Sequence, residues 1–449
     1  MRVLIYTLGC KLNQCESEAI ADAFAKEGFE IVHTDEAADL CIVNTCTVTV
    51  KAEQKARRMI RKYAVQVQQP VVLVTGCYAQ LEKDALQDLS ERVVVVSLDE
   101  KPSLLGLPNM LANHLVANLD LLQSVRAFVS QAGEDKVSPA SSPFDYDAAT
   151  FSFHSRAFLK IQDGCDNSCA YCRVTIARGD AVSLDLGEVV KRSLVLEQDG
   201  FKEIVLTGVN ISAYRSGDAS LAGLLDSLLK HLGPGIRLRL SSLEPDRLDD
   251  HLLDMFADSR IQPHFHIPIQ SGSNQVLQRV NRHYDVSRME QAVARLRQVK
   301  DDPFIAADII TGLPGETDGE FEKTVEFLKS MDISQLHVFP FSPRPLTALN
   351  TAKDKVPESV RDERAKFLRD LSAIHFRRYL NRQIGKDVEL IVEEQKGGTW
   401  SGLTGNYLKI KVLDTPSWLT RGSLASVHLE RDARTGMPVG RFLETQTPE

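Results

Sequence analysis

Three cysteines near the middle of the chain, Cys165, Cys169 and Cys172, form a CxxxCxxC pattern within the stretch DGCDNSCAYCRV. Thiolates bind zinc and iron–sulfur clusters, and three of them leave one iron of a 4Fe-4S cluster open to a small molecule. A tetrahedral zinc site would need a fourth ligand, and no nearby Cys or His supplies one. The pattern therefore predicts a 4Fe-4S cluster with an open iron. A purely structural cluster, or a zinc site with a remote fourth ligand, is the alternative.

Three further cysteines, Cys10, Cys46 and Cys77, are far apart, yet each directly follows an apolar run of strand length, in YTLGCK, IVNTCT and LVTGCY. The carboxyl ends of parallel strands share one edge of a sheet, which is where open α/β sheets bind ligands. Gly9 and Gly76 allow tight turns at that edge. We therefore expect the three thiols to converge and hold a second 4Fe-4S cluster with one open iron. Any one of them alone would more simply be a small buried side chain.

The remaining cysteines, the charge and the composition narrow the class of protein. Cys15 and Cys41 lack the strand-end placement and are predicted to be core residues.

Eight cysteines in 449 residues are too few for a disulfide scaffold, and no export signal or apolar run of about 20 residues is visible. We therefore expect a cytoplasmic protein without a membrane segment. The net charge of −8 excludes a globally basic nucleic-acid binder but not local basic patches.

The elements that must position the cysteines fall into three predicted domains of an α/β protein. Residues 1–128 alternate apolar runs with helical stretches, which predicts a parallel sheet covered on both faces. Residues 129–150 are polar and rich in Pro and Ser, as expected of a linker. Residues 151–382 contain six βα units, which favours a partial (βα)6 barrel with its chemistry at the strand ends. Residues 383–449 alternate polar and apolar residues around Gly397-Gly398, which predicts a small antiparallel β-barrel.

The apolar patterns also give bounds for single elements. Strands are predicted at 2–8, 40–43, 71–74 and 93–96 in the first domain, and at 157–162, 203–207, 237–241, 264–269, 305–310 and 335–341 in the second. Helices are predicted at 17–26, 51–63 and 361–382.

With an aromatic residue, Tyr171, before its third cysteine, the CxxxCxxC stretch resembles that of the radical S-adenosylmethionine (SAM) enzymes. Two cysteine triads on two βα domains in this order resemble the methylthiotransferases of that superfamily, over nearly the whole chain. The motifs that carry the resemblance are GCKLNQ at 9–14, NTCTV at 44–48, TGCYAQ at 75–80, DGCDNSCAYC at 163–172, ARG at 177–179, LTGVNISAY at 206–214, SSLEPD at 241–246, HIPIQSGSNQVLQRVNRHY at 266–284, DIITGLPGET at 308–317 and HVFPFSPRPLTA at 337–348. One departure is Arg173-Val174-Thr175, where the family often has two aliphatic residues and a proline.

The resemblance implies two 4Fe-4S clusters with different tasks. The CxxxCxxC cluster of a radical SAM core would bind SAM and cleave it to a 5′-deoxyadenosyl radical, which abstracts hydrogen from an unreactive carbon. The auxiliary cluster would carry the sulfur, which a second SAM methylates. The implied partners are tRNA, an electron donor such as flavodoxin or ferredoxin, and a sulfur donor. The C-terminal barrel resembles a TRAM domain, an RNA-binding module.

Expected contacts to SAM come from residues beside the strand ends. Tyr171, Asn210, Glu244 and Gln270 are the candidates. Glu244 could equally be an ordinary polar residue before a proline, and the same alternative holds for Asn210, Gln270 and the weaker candidate Arg178. The GLPGET stretch around Gly312 lacks the lysine of a P-loop, and we expect it to let the backbone approach the adenosine of SAM.

KLNQ after the first cysteine and HVFPFSPRP look most like the branch that converts N6-threonylcarbamoyladenosine, beside the tRNA anticodon, to its 2-methylthio derivative. The isopentenyladenosine branch, which usually differs after the first cysteine, is the nearest alternative. A branch acting on a ribosomal-protein aspartate is less similar. A non-catalytic iron–sulfur protein that binds RNA is an alternative of another class.

Cations are needed both for the anionic threonylcarbamoyl group and for tRNA phosphates. Candidates to bind the substituent are Arg173, just after the third cysteine of CxxxCxxC, Arg344, just after the sixth barrel strand, and Arg178. Each could instead be a structural ion-pair partner. The basic helix at 51–63 is either a solvated face or a phosphate-binding surface near the auxiliary triad.

Overall fold

The computed structural model describes residues 1–33, 38–116, 120–134, 142–146, 148, 151 and 153–443. Within the predicted linker at 129–150, the final helix of the first domain continues to Glu134. Phe144 and Tyr146 of the same stretch are buried in the core of the second domain. The described part of this stretch is therefore partly helical and partly packed, and its other residues lie outside the described ranges.

The N-terminal domain is a parallel sheet, as the apolar runs predicted, and its strand order is β2-β1-β3-β4-β5. Its elements are β1 Arg2–Thr7, α1 Lys11–Lys26, β2 Glu30–Val32, β3 Leu40–Thr45, α2 Val50–Ala64, β4 Val71–Gly76, α3 Cys77–Leu81, α4 Lys83–Gln87, β5 Val93–Val95, α5 Leu107–Val116 and α6 Leu121–Glu134. The short edge strand β2 was not predicted. Helix α1 starts six residues before its predicted start at 17, because Gly9 adopts a φ of +99° and turns the chain directly after β1.

The second domain contains six parallel strands that follow one another in space as they do in the chain. Its elements are β6 Ala157–Lys160, β7 Gln162–Asp163, α7 Val174–Arg178, β8 Val182–Ser183, α8 Leu186–Gln198, β9 Glu203–Thr207, β10 Arg215–Ser216, β11 Ala219–Ser220, α9 Leu221–His231, β12 Arg237–Leu240, α10 Asp250–Phe256, β13 His264–Gln270, α11 Asn274–Arg279, α12 Val286–Val299, β14 Phe304–Thr311, α13 Asp318–Ser330, β15 Gln335–Pro340 and α14 Glu358–Gln383. Strands β6, β9 and β12 form one sheet and β13, β14 and β15 another, and a bridge between Leu238 and Ile261 joins them. This is the partial barrel that the six βα units predicted.

The N-terminal domain contacts both edges of the partial barrel. On one side α1 packs beside β6, where the Cys15 thiol donates to the carbonyl oxygen of Phe158 at 3.3 Å. On the other side Arg344, which follows β15, donates to Thr47 Oγ1 at 3.1 Å. Cys15 and Cys41 are both buried, which confirms their predicted place in the core.

The C-terminal domain is a closed barrel of β16 Asp387–Lys396, β17 Thr399–Thr404, β18 Lys409–Leu413, β19 Leu424–Arg431 and β20 Pro438–Phe442. Gly397 and Gly398 form the predicted tight hairpin, with φ of +55° and +80°. One pairing differs from the antiparallel prediction, since β18 and β20 run parallel. The barrel shares a core with Phe304 and Tyr379 of the second domain. No helix in the described part of the chain is long and apolar enough to cross a membrane.

Candidate active site

The first cysteine triad lies at the carboxyl edge of the N-terminal sheet. Cys10 precedes α1, Cys46 follows β3 directly, and Cys77 is the first residue of α3 after β4. Because β1, β3 and β4 are neighbours in the sheet, the three thiols converge, as the sequence predicted. A Cβ on Gly9 would lie 2.8 Å from the Cys46 sulfur, so only glycine allows this close approach.

The surroundings of this triad are suited to a group that carries positive charge. Burial raises the pKa of the Cys46 thiol to about 12, and the neighbouring Cys10 and Cys77 add to the shift. Three thiolates at one place therefore require a compensating cation, which a bound cluster supplies. Arg178 contributes further, because its Nε donates to the Cys77 sulfur at 3.2 Å.

The CxxxCxxC triad follows β6 and β7 at the corresponding edge of the partial barrel. Each of its sulfurs has a hydrogen-bond donor. The backbone N–H of Asn167 points to Cys165 at 3.4 Å, and that of Val174 points to Cys172 at 3.3 Å. A guanidinium nitrogen of Arg282 lies 3.1 Å from the Cys169 sulfur. Donors to sulfur stabilise thiolate ligands and tune the potential of an iron–sulfur cluster.

The donor chemistry of the triads bears on the zinc alternative. Each triad offers three thiolates, which is the ligand set of a 4Fe-4S cluster with one open iron, whereas a tetrahedral zinc site needs a fourth ligand. The residues present therefore fit a 4Fe-4S cluster.

A cavity of about 190 Å³ lies beside the CxxxCxxC triad, at the carboxyl ends of the barrel strands. Val48 and Thr49, just after Cys46, line one side, and Tyr171 and Cys172 line the other. The remaining lining residues come mainly from the barrel strands and the loops after them, and they are Arg173, Val174, Gln270, Asp308, Ile310, Phe339, Pro340, Phe341 and Ser342. The cavity therefore adjoins Cys172, the segment that follows Cys46 and the carboxyl ends of the barrel strands.

Gln270 is the most strained of the predicted SAM contacts. It has a φ of +67°, which is unusual for a residue with a side chain, and it ends a bulge in β13 that begins at Ile267. Strain of this kind is concentrated at ligand sites, and here it places Gln270 in the cavity beside Tyr171.

Asn210 and Glu244 lie in a second, polar cleft beside Cys169. Glu244 accepts hydrogen bonds from Arg282 and, at 3.2 Å, from the Asn167 amide. The Asn210 side-chain oxygen is buried without a hydrogen-bond partner among the described residues. This orphaned acceptor beside the triad is a suitable partner for a ligand donor.

The GLPGET loop packs against α14 at Gly312. Gly312 has a φ of +70°, and a Cβ there would lie 2.0 Å from the Arg361 side chain of α14. The missing side chain of Gly312 therefore makes room for α14. The approach of this loop to the adenosine of SAM stays a prediction.

Arg173 and Arg344 join the two domains instead of standing free as substrate cations. Arg173 pairs with Glu53 at 3.1 Å and with Glu82 at 3.0 Å, and Arg344 pairs with the same Glu53. Both arginines are almost fully buried. The departure from the family pattern at Arg173 is thus explained by an ion pair with α2 of the N-terminal domain.

Arg178 is the centre of a second buried network across the same interface. It lies 3.0 Å from both Glu16 of the N-terminal domain and Asp163 of the barrel. Glu16 also binds Lys160, at 2.9 Å, and Lys101. Burial would raise the pKa of Glu16, but Arg178, Lys101 and Lys160 hold it well below its usual range. Sequence analysis missed Glu16, Lys101 and Lys160, because their partners are distant in the chain.

Comparison with known proteins agrees with this architecture. Residues 2–97 match the family described as uncharacterized protein family UPF0004, and residues 159–328 match the radical SAM superfamily. The chain is 39% identical to the threonylcarbamoyladenosine tRNA methylthiotransferase MtaB of Treponema pallidum, over 92% of this chain and 94% of the relative. It is 34% identical to the proteins of the same name from Aquifex aeolicus, over 92% and 96%, and from Bacillus subtilis, over 91% and 89%.

The chain belongs to the MtaB family of radical SAM tRNA methylthiotransferases. This family membership confirms the radical SAM enzyme class that the CxxxCxxC pattern indicated. Among solved structures, the radical SAM methyltransferase TsrM from Kitasatospora setae, bound to cobalamin and a 4Fe-4S cluster, superimposes with a TM-score of 0.51 at 15% identity, covering 78% of this chain and 77% of that one. At that identity the similarity concerns the fold alone.

Proposed function

We propose that this MtaB-family enzyme methylthiolates C2 of N6-threonylcarbamoyladenosine beside the tRNA anticodon, giving 2-methylthio-N6-threonylcarbamoyladenosine. The observation that carries the proposal is the cavity that opens toward Cys172 on one side and toward the residues after Cys46 on the other. A base held there would lie beside Cys172 and beside the segment that follows the auxiliary-triad residue Cys46. The names of the relatives support the choice of modified nucleoside.

We assign two 4Fe-4S clusters, an auxiliary one to Cys10, Cys46 and Cys77 and a SAM-binding one to Cys165, Cys169 and Cys172. When bound, these clusters and SAM supply the sulfur site and the radical chemistry. Tyr171, Asn210, Glu244 and Gln270 are the proposed SAM contacts. Asn210 offers its orphaned oxygen, and Arg282 holds the Glu244 carboxylate in place.

The chain itself encloses the reaction. Val48, Ile310, Phe339 and Phe341 make the cavity largely apolar, which limits the water around a reactive intermediate. The ion pairs of Arg173, Arg178 and Arg344 hold the two cysteine triads at a fixed separation. Since proximity and orientation contribute strongly to rate, this rigid docking is part of the catalytic apparatus.

The tRNA would contact the basic face of α2 and the C-terminal barrel. Lys51, Arg58 and Arg61 are exposed on α2, and Thr49 Oγ1 caps the helix by accepting from the Ala52 N–H at 3.1 Å. Arg57 is less available, since it donates to the Tyr78 hydroxyl. An electron donor such as flavodoxin or ferredoxin, a sulfur donor and a cytoplasmic location complete the proposal.

The test is nucleoside mass spectrometry of tRNA from a strain that lacks this protein. We expect the 2-methylthio derivative to disappear while threonylcarbamoyladenosine accumulates. Plasmid-borne wild type should restore it, whereas the Cys172→Ala variant should not. Loss of methylthio-isopentenyladenosine instead would assign the substrate to the other branch. An unchanged nucleoside profile, with tRNA binding retained, would favour the non-catalytic RNA-binding protein.

A further inference from the structure

One wall of the cavity beside the CxxxCxxC triad presents an aromatic ring. Phe339 on β15 lines the cavity, and 39% of the residue is exposed although it lies on a barrel strand. Ile310 on β14 is its partner in the register of the two strands and lines the same cavity. An exposed aromatic face at the wall of a cavity is a suitable platform for another flat ring.

A carboxylate lies on the same side of the barrel. Among the described residues that line the cavity, Asp308 on β14 alone carries an acidic side chain. Its Oδ1 lies 2.9 Å from the His266 Nε2 on β13, and 26% of its side chain is exposed. In the described part of the chain, the second oxygen, Oδ2, accepts no hydrogen bond from a protein group. That oxygen is therefore an acceptor available to a ligand donor.

The strand register sets the separation of the ring and the carboxylate. Ile310 pairs with Phe339 and Asp308 with His337, so Asp308 lies two residues deeper in the barrel than Phe339, on the adjacent strand. Two residues of a strand span about 6.6 Å. A purine that stacks on Phe339 can therefore direct its exocyclic group at Asp308.

This geometry suits the proposed substrate. An adenosine substituted once at N6 keeps one N6–H, which a carboxylate oxygen can accept. In the six-membered ring, C2 is separated from the carbon that bears N6 by one nitrogen. With N6 at Asp308, C2 therefore lies nearer the mouth of the cavity, where Cys172 and the segment after Cys46 are found.

We propose that Phe339 and Asp308 form an adenine slot, in which Phe339 stacks on the target base and Asp308 accepts its N6–H. The inference rests on the proposed function and names substrate-binding residues of that same site. A base that leaves its stack to enter an enzyme loses stacking contacts, which an aromatic side chain replaces. A guanine would place its O6 acceptor against the carboxylate, so the slot also selects adenine over guanine.

The first test removes the N6–H from the substrate. It compares tRNA carrying threonylcarbamoyladenosine with the same tRNA carrying the N6-methyl derivative, which has no N6–H. Wild-type enzyme should prefer the first in kcat/KM by about 10- to 100-fold, the range for a hydrogen bond to a charged group. Asp308→Ala should lose this preference, because the carboxylate and the N6–H act as a coupled pair. Asp301→Ala, exposed just before β14, should retain it.

An isosteric variant separates hydrogen bonding from steric exclusion of the methyl group. Asp308→Asn keeps the shape of the side chain and one oxygen acceptor but not the charge. Its preference for the N6–H substrate should fall to about 3- to 10-fold, the range for a neutral hydrogen bond. A preference equal to that of wild type would mean that Asp308 only excludes the methyl group, and would overturn its assigned role.

The second test concerns stacking. Phe339→Ala should lower kcat/KM for tRNA by about 5- to 100-fold, the range for loss of one base–aromatic stack. Phe339→Tyr keeps the ring and should stay close to wild type. Phe367→Ala is the matched control, since Phe367 lies on α14, is 47% exposed and does not line the cavity. An unchanged kcat/KM in Phe339→Ala would overturn the stacking role.

SAM also contains an adenine, so its binding is measured separately. The dissociation constant of SAM, the iron content and the formation of 5′-deoxyadenosine without tRNA should equal those of wild type in Asp308→Asn and Phe339→Ala. Weaker SAM binding in either variant would mean that the slot holds the adenine of SAM, and would overturn the inference.

The outcomes separate this inference from the proposed function. A wild-type enzyme that modifies isopentenyladenosine instead of threonylcarbamoyladenosine would overturn the proposed function alone. Isopentenyladenosine also keeps one N6–H, so the same comparison with its N6-methyl derivative would then test the adenine slot. Failure of the Asp308 and Phe339 variants to change activity on threonylcarbamoyladenosine would overturn the slot and leave the proposed function standing.

Discussion

Replacement of Arg178 by methionine should loosen the contact between the two cluster-binding domains. The side chain is 3% exposed and lies 3.0 Å from Glu16 and from Asp163, so the variant leaves two buried carboxylates with less positive charge. Removing one partner of a buried ion pair costs about 3–5 kcal/mol. Because Lys101 and Lys160 still bind Glu16, we expect the lower end, about 3 kcal/mol.

Anaerobic urea denaturation, followed by far-ultraviolet circular dichroism, measures the loss of stability. Arg378→Met is the matched control, since Arg378 pairs with Asp332 at 3.3 Å with over half of its side chain exposed. That pair should contribute less than about 1 kcal/mol. Arg178→Lys should lose nearly as much stability as Arg178→Met. One ammonium cannot replace the guanidinium that contacts Cys77, Asn13 and Asp163 together.

The loss of stability in Arg178→Met should also depend on pH. The folded-state pKa of Glu16 is depressed, so its contribution is complete above the unfolded-state pKa of about 4.3 and disappears as the pH falls through the folded value. The difference in free energy of unfolding between wild type and Arg178→Met should therefore be largest at neutral pH and become smaller in acid. Equal losses for Arg178→Met and Arg378→Met, or a gap that widens in acid, would refute the reasoning.

Three further predictions concern the clusters and the RNA. Anaerobically reconstituted enzyme should hold about eight irons per chain, and alanine at all three CxxxCxxC cysteines should remove about half of them, as chemical iron analysis will show. Cys172→Ala should abolish reductive SAM cleavage, whereas Cys46→Ala should still form 5′-deoxyadenosine but no methylthiolated product; a folded Cys46 variant without cleavage would argue against separate tasks. Charge reversal at Arg58 and Arg61 should weaken tRNA binding and reduce its salt slope by roughly 0.7–0.9 per lost phosphate contact, and an unchanged slope would make α2 a solvated face.

The parts of the site that sequence predicts are those fixed by local rules. Cys10, Cys46 and Cys77 could be grouped because strand ends of a parallel sheet share an edge, whichever strands are neighbours. The hairpin at Gly397-Gly398 follows from the backbone freedom of glycine in the same way.

The ion pairs across the domain interface could not be predicted in this way. Arg173 is 120 residues from Glu53 and meets it only because the N-terminal domain docks on the barrel. A sequence shows that an arginine follows a cluster ligand, but not which carboxylate it meets. The predicted start of α1 was wrong because the KLNQ segment has no apolar residues at helical spacing. The turn at Gly9 determines where the helix begins.

The most direct test supplies two purified tRNAs, one carrying threonylcarbamoyladenosine and one carrying isopentenyladenosine, to the same reconstituted enzyme. Each reaction contains SAM and a reductant under anaerobic conditions, and mass spectrometry of the digested nucleosides gives the yield of methylthiolation. We predict 2-methylthio-N6-threonylcarbamoyladenosine from the first tRNA and little product from the second. Preference for the isopentenyl substrate, or no product from either tRNA when both clusters are present, would contradict the account.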